Sequence, residues 1–129
     1  MKERRRRERL PLIQMDARIR VKKKLFSSSW EEVNVCDFTR LGLAVVGEHD
    51  FKEGETVTLS LRLSTEVGDI TAEQVEAIVR NSRVGDEGTI FGMEFVENQK
   101  SSITESLGRI ESVLSRFRKV TDRMRERSV

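Results

Sequence analysis

Two short clusters hold the side chains best suited to chemistry. The first is the run Arg4-Arg5-Arg6-Arg7-Glu8-Arg9, which contains Arg5-x-x-x-Arg9 and leads into Leu10-Pro11-Leu12. The second, Asp37-Phe38-Thr39-Arg40-Leu41-Gly42, reads Asp-x-Thr-x-x-Gly. A guanidinium binds phosphate bidentately, offers donors to guanine O6 and N7, and stacks on a base. A carboxylate such as Asp37 accepts from the N1–H and N2–H₂ donors of guanine, and Thr39 adds a hydroxyl. Gly42 lets backbone approach a ligand with no Cβ in the way. Together these are the groups a guanine nucleotide would require.

Catalytic constellations are scarce. The one histidine, His49, stands in the charged stretch Gly47-Glu48-His49-Asp50 and reads as an exposed turn residue. The one cysteine, Cys36, falls in an expected strand, where a thiol usually packs as a small hydrophobe. Asp37 is a candidate general base by residue type alone, with no partner nucleophile in view, no Cys/His group has metal-ligand spacing, and neither GxxxxGK[ST] nor GxGxxG occurs. The expectation is a binding module rather than an enzyme, with no catalytic residues, metal or cofactor.

The elements that would position these groups are mostly strands. Pro11, the only proline, disfavours helix at Leu10 and marks an extended lead-in. Met15, Ala17, Ile19 and Val21 alternate with Asp16, Arg18, Arg20 and Lys22, the pattern of a half-buried strand. A second strand is expected from Trp30 to Phe38, and a third after Gly42 through Leu43 and Val45. The Glu53-Gly54-Glu55 turn leads to a fourth, with Val57, Leu59, Leu61 and Leu63 on one face. A turn at Gly68-Asp69 precedes a fifth strand carrying Val75, Ala77 and Val79. Gly85-Asp86-Glu87-Gly88 turns into a sixth, from Thr89 to Val96. Short, regularly spaced strands of this kind predict an antiparallel barrel or sandwich. The period then changes: Ile103, Leu107, Ile110, Leu114 and Phe117, continued by Val120 and Met124, form the stripe of an amphipathic helix. Ser101 or Ser102 would cap it, with Glu105 completing a capping box from Ser102. The expected organisation is a basic arm over 1–10, a barrel over 11–97 and a C-terminal helix over 101–127.

The two clusters, in this order, resemble the PilZ domain family. Its hallmarks are an RxxxR motif in a mobile N-terminal segment and a [DN]xSxxG motif on an early strand; here Arg5 and Arg9 match the first, and Asp37, Thr39 and Gly42 the second. Gly92-Met93-Glu94-Phe95 matches a glycine–phenylalanine habit of the last strand. Thr39 departs from the usual serine, keeping the hydroxyl and adding a methyl. The resemblance, over residues 4–97, implies a mainly β fold: a six-stranded antiparallel PilZ-like β-barrel with a mobile basic arm and a C-terminal α-helix. It implies binding of cyclic di-GMP by Arg5, Arg9, Asp37, Thr39 and Gly42, with Arg4 and Arg6 as further candidates. Bound as one molecule or an intercalated dimer, the ligand would order the arm and transmit a signal to a downstream protein. The setting implied is the bacterial cytoplasm.

Charge keeps other readings in view. The net charge is +2, but residues 1–24 hold eleven Lys/Arg against three acids, and residues 25–100 six against fifteen. An arm this basic beside an acidic body meets an anion, the body, or both. The acidic body disfavours a long nucleic acid, and the few aromatics offer little stacking platform. No apolar run is long enough for a membrane span. A ligand-independent adaptor that holds a protein through barrel and helix is the alternative, as is a homodimer through the C-terminal helix. Asp37-x-Thr39 also fits a plain strand-end turn.

Overall fold

The structure is a computed structural model. It describes the backbone of residues 14–24 and 27–128 and the side chains of 15–21 and 27–116. Six strands appear in order: β1 (Gln14–Lys24), β2 (Ser27–Thr39), β3 (Gly42–Gly47), β4 (Thr56–Thr65), β5 (Gly68–Gly85) and β6 (Gly88–Phe95). One helix, α1 (Ser101–Ser128), follows. All pairings are antiparallel, in the order β1-β2-β3-β6-β5-β4, and β4 pairs back onto β1, closing the sheet as a barrel. The arm over 1–10, with Arg4, Arg5, Arg6 and Arg9, lies outside the described residues, as do the side chains of Phe117, Val120 and Met124.

Alternation decides which residues fill the interior. Ala17 and Ile19 of β1, Val57, Leu59, Leu61 and Leu63 of β4, and Val75, Ala77 and Val79 of β5 are all buried. Each large apolar side chain removed from water in this way contributes roughly 1.5–3 kcal/mol. No buried side chain of the described residues is polar or charged. Leu107 and Ile110 of α1 join the same apolar cluster, with Ile103, Val113 and Leu114 packed against it. The helix therefore rests on the sheet through the first half of its stripe, chiefly on β5 and also on β2.

Several local expectations are corrected. The β4–β5 turn is Glu66-Val67, not Gly68-Asp69, because Gly68 already pairs with Thr65 and takes a φ of 137° that suits glycine. β2 begins at Ser27, ahead of Trp30, because β1 continues to pair with it down to Lys24. Ser101 and Ser102 lie inside the first turn of α1 rather than capping it. The Lys100 carbonyl accepts instead from the Ile103 and Thr104 amides, at 3.0 and 3.1 Å. His49 is not an exposed turn residue: its ring lies 2.7 Å from Glu31 Oε1 and stacks on Phe51 at 5.3 Å. Phe51 in turn meets Phe91 edge-on at 5.2 Å, so this group covers part of the interior from the β3–β4 connection.

Candidate functional site

Strict alternation along β2 would bury Asp37. Val33 points inward and Val35 is half-buried, so the next residue of that parity would enter the core. A β-bulge prevents it. Val35 pairs with Val45 and Asp37 with Ala44, which leaves Cys36 as an extra residue. Cys36 and Asp37 are then both exposed, and Phe38 takes the inward place at 5% exposure. Cys36 is thus a surface thiol rather than the packed one expected. Phe38 anchors the segment against Phe95 of β6, with ring centroids 5.8 Å apart. The aromatic end of Gly92-Met93-Glu94-Phe95 therefore braces the strand that displays Asp37.

Beyond the bulge, β2 turns into β3 through Arg40-Leu41, flanked by the pair Thr39↔Gly42. The Thr39 hydroxyl accepts from the Leu41 amide at 3.1 Å and points at the Gly42 carbonyl, 3.4 Å away. The β4–β5 hairpin repeats this: Thr65 Oγ1 accepts from Val67 N at 3.2 Å and donates to Gly68 O at 2.7 Å. A Thr-x-x-Gly hairpin is therefore a self-sufficient turn in this fold, closed by the Thr39 hydroxyl rather than by the Asx-type turn of Asp37 that the strand-end reading expected. Asp37 is not duplicated in that second hairpin. Its Oδ1 accepts from the Phe38 amide at 2.9 Å, which fixes the carboxylate on the outer surface.

Gly42 has a second reason to be glycine, different from the ligand approach expected of it. A Cβ there would lie 2.2 Å from the Met93 carbonyl oxygen of β6. Gly92 is constrained on the neighbouring ladder, where a Cβ would lie 2.6 Å from Asn81 Oδ1.

Sequence reasoning missed the partner of Arg40. Its amide donates to Glu111 Oε2 of α1 at 3.1 Å, and its guanidinium lies 4.0 Å from Oε1 of the same carboxylate. The motif hairpin is thereby tied to the helix across 71 positions of sequence, a separation that leaves no local signal.

The structure brings Asp37, Thr39 and Gly42 together on one hairpin. The four arginines of the arm lie outside the described residues, but the start of β1 is placed. Gln14 pairs with Ser64, just before the β4–β5 turn. Ala17 pairs with Val33, so β2 runs on toward Asp37 alongside the first residues of β1. The chain preceding Gln14 thus joins the sheet at the end that holds both hairpins. Arg9, five residues upstream, can reach no further than about 17 Å from Gln14.

Among the described residues no group of His, Cys, Asp or Glu could hold a metal ion, and no helix is long and apolar enough to cross a membrane. No curated protein matches the chain. The family model described as PilZ domain matches residues 3–110, from the arginine run to the part of α1 that packs on the sheet. The chain belongs to the PilZ domain family, whose members are ligand-binding modules and generally receptors for cyclic di-GMP.

Proposed function

We propose that this protein is a cyclic di-GMP receptor whose site is shared between the arm and the β2–β3 hairpin. The observation that carries the reading is the bulge at Cys36, which turns Asp37 out of the core at the end of the sheet where β1 begins. Asp37 would accept from the guanine edge, Thr39 would add a polar contact, and Gly42 would keep the hairpin close to β6. Arg5 and Arg9 would supply guanidinium groups to phosphate and base, with Arg4 and Arg6 in support. Before binding, the like charges of residues 1–10 repel one another. The two phosphates of the ligand remove that repulsion, so the arm orders over the hairpin and changes the surface shown to a downstream protein. Such a receptor works in the bacterial cytoplasm, where this messenger is made.

The test is isothermal titration with cyclic di-GMP, using GTP and cyclic di-AMP as controls. Saturable heat with cyclic di-GMP alone is expected, and its stoichiometry distinguishes one molecule from an intercalated pair. Arg9→Ala or Asp37→Ala should abolish binding, while Arg7→Ala should cost little. Equal losses at all three would mean bulk electrostatics and would overturn the site.

The alternative, a ligand-independent adaptor, draws support from the hairpin itself. Thr39 is satisfied within the turn and Arg40 is engaged by Glu111, so the segment is complete without a ligand. Absence of heat at high ligand concentration would favour this reading.

A further inference from the structure

The motif hairpin from Asp37 to Gly42 carries one cation, Arg40, at the tip of its turn. The two amides of that tip are those of Arg40 and Leu41. The Leu41 amide is engaged by the Thr39 hydroxyl at 3.1 Å, which leaves the Arg40 amide as the donor the turn offers outward. It donates to Glu111 Oε2 at 3.1 Å, while Arg40 Nε lies 4.0 Å from Oε1. The second distance is too long for a hydrogen bond and short enough for a loose ion pair. One carboxylate thus meets a backbone N–H and a guanidinium of the same residue. Those are the groups that a phosphate oxygen would seek.

The turn does not need that carboxylate in order to close. The β4–β5 hairpin has the same Thr-x-x-Gly sequence and the same closure, with the Val67 amide on Thr65 Oγ1. There the equivalent amide, that of Glu66, meets no acidic side chain among the described residues. Nor does α1 need Glu111 to stay docked. Leu107 and Ile110 are buried beneath the helix, and taking two such side chains out of water outweighs an ion pair whose partners are 69% and 36% exposed. Glu111 follows Ile110 by one position, so the docked helix sets its carboxylate over the turn. A change of side-chain rotamer then suffices to withdraw it while the helix stays in place.

We propose that the amide and guanidinium of Arg40 form a binding position for a phosphate of cyclic di-GMP, which Glu111 fills in the free protein as an internal anion. The inference rests on the receptor reading above and adds to it one contact and one brake. With Glu111 on the turn, two acids, Asp37 and Glu111, stand against Arg40 alone, a balance that disfavours a ligand with two phosphates. With Glu111 withdrawn, Asp37 and Arg40 leave the hairpin neutral and the Arg40 donors open to phosphate. The acid opposite Gly42 on β6, Glu94, does not alter this balance, because Arg80 pairs with it at 2.7 Å. Ligand and helix therefore compete for one residue. By linkage, whatever fixes Glu111 on the turn weakens the ligand, and the ligand weakens that contact by the same factor.

The test titrates cyclic di-GMP calorimetrically into the full chain and into its Glu111→Gln variant, which keeps an oxygen for the Arg40 amide and removes the charge. The variant should bind about two- to fivefold more tightly at low salt, the range that one exposed ion pair commands. That gain should fade as salt rises from about 0.05 to about 0.5 M. Glu111→Ala, a second variant in case the first disturbs folding, should bind more tightly as well. Arg40→Gln should bind more weakly than the wild type, and adding Glu111→Gln to it should recover part of the loss, because the bare carboxylate is then the obstacle that remains. Affinity of both Glu111 variants equal to or below that of the wild type would overturn the inference and leave the receptor reading standing. A fall in affinity together with a lower thermal midpoint would make Glu111 a structural tie, with the same consequence. Unchanged affinity in Arg40→Gln would remove the phosphate position. Absence of binding by the wild type and by both Glu111 variants would overturn the receptor reading itself, and this inference with it.

Discussion

Gly42→Ala separates the two roles that could place a glycine in the motif. The added Cβ would stand 2.2 Å from the Met93 carbonyl oxygen, whereas 3.0 Å is already nearer than real Cβ atoms come. The obstacle is backbone of the adjacent strand, so no rotamer change relieves it. β3 and β6 must part by about 1 Å, a case of overpacking that typically costs 1–3 kcal/mol. The strain falls where the Phe95 amide donates to the Leu41 carbonyl at 2.9 Å, and stretching that bond forfeits part of roughly 1 kcal/mol more. A loss of about 2 kcal/mol lowers the thermal midpoint of a domain this size by roughly 10 °C. Thermal and urea melts of the variant, followed by circular dichroism without ligand, measure it directly. An unchanged midpoint together with lost cyclic di-GMP binding would refute the reasoning, because the glycine would then serve the ligand and not the sheet.

Two further substitutions test the backbone reading elsewhere. Gln74 is the only non-glycine residue with positive φ among the described residues, at 59°, so Gln74→Gly should hold or raise stability, whereas Gln74→Val should lower it by about 1–2 kcal/mol in urea melts. Gly108 lies within α1, and an added methyl group would have nothing within 4 Å of it, so Gly108→Ala should raise the thermal midpoint by the equivalent of about 0.8 kcal/mol.

The strands whose apolar residues alternate without a break were legible from sequence. Val57, Leu59, Leu61 and Leu63 are all buried as their spacing requires, and so are Val75, Ala77 and Val79. The helix was equally plain, because the spacing of Ile103, Leu107 and Ile110 fits only a 3.6-residue period. Bulges were not anticipated, although two of them left a trace. Cys36-Asp37 and Glu73-Gln74 are consecutive exposed residues set inside otherwise alternating strands, and each coincides with a register shift, whereas the shift at Arg80 opens an exposed run that continues to Val84. Two successive non-core residues in a strand therefore carry information that a count of apolar matches discards. At the candidate site the residue types were legible, but the outward turn of Asp37 was not, since parity alone sends it inward. The Arg40–Glu111 contact and the Glu31–His49 pair join segments far apart in the chain. No period or motif encodes a meeting of that kind; it exists only once the sheet has closed and the helix has docked.

Closure of the sheet also limits how this protein can communicate. Each of its six strands already has a neighbour on either side, β1 included through β2 and β4. An open sheet offers a row of unpaired amides and carbonyls on which another chain can lay an extended segment. Here most of that row is consumed internally, and the strand segments laddered on one side only are short: Arg20–Lys24 of β1, Ser27–Val33 of β2 and Asn81–Gly85 of β5. Over the rest of the wall, whatever passes from this module to another protein must be read from side chains, from the hairpins at the ends, or from the helix laid across them.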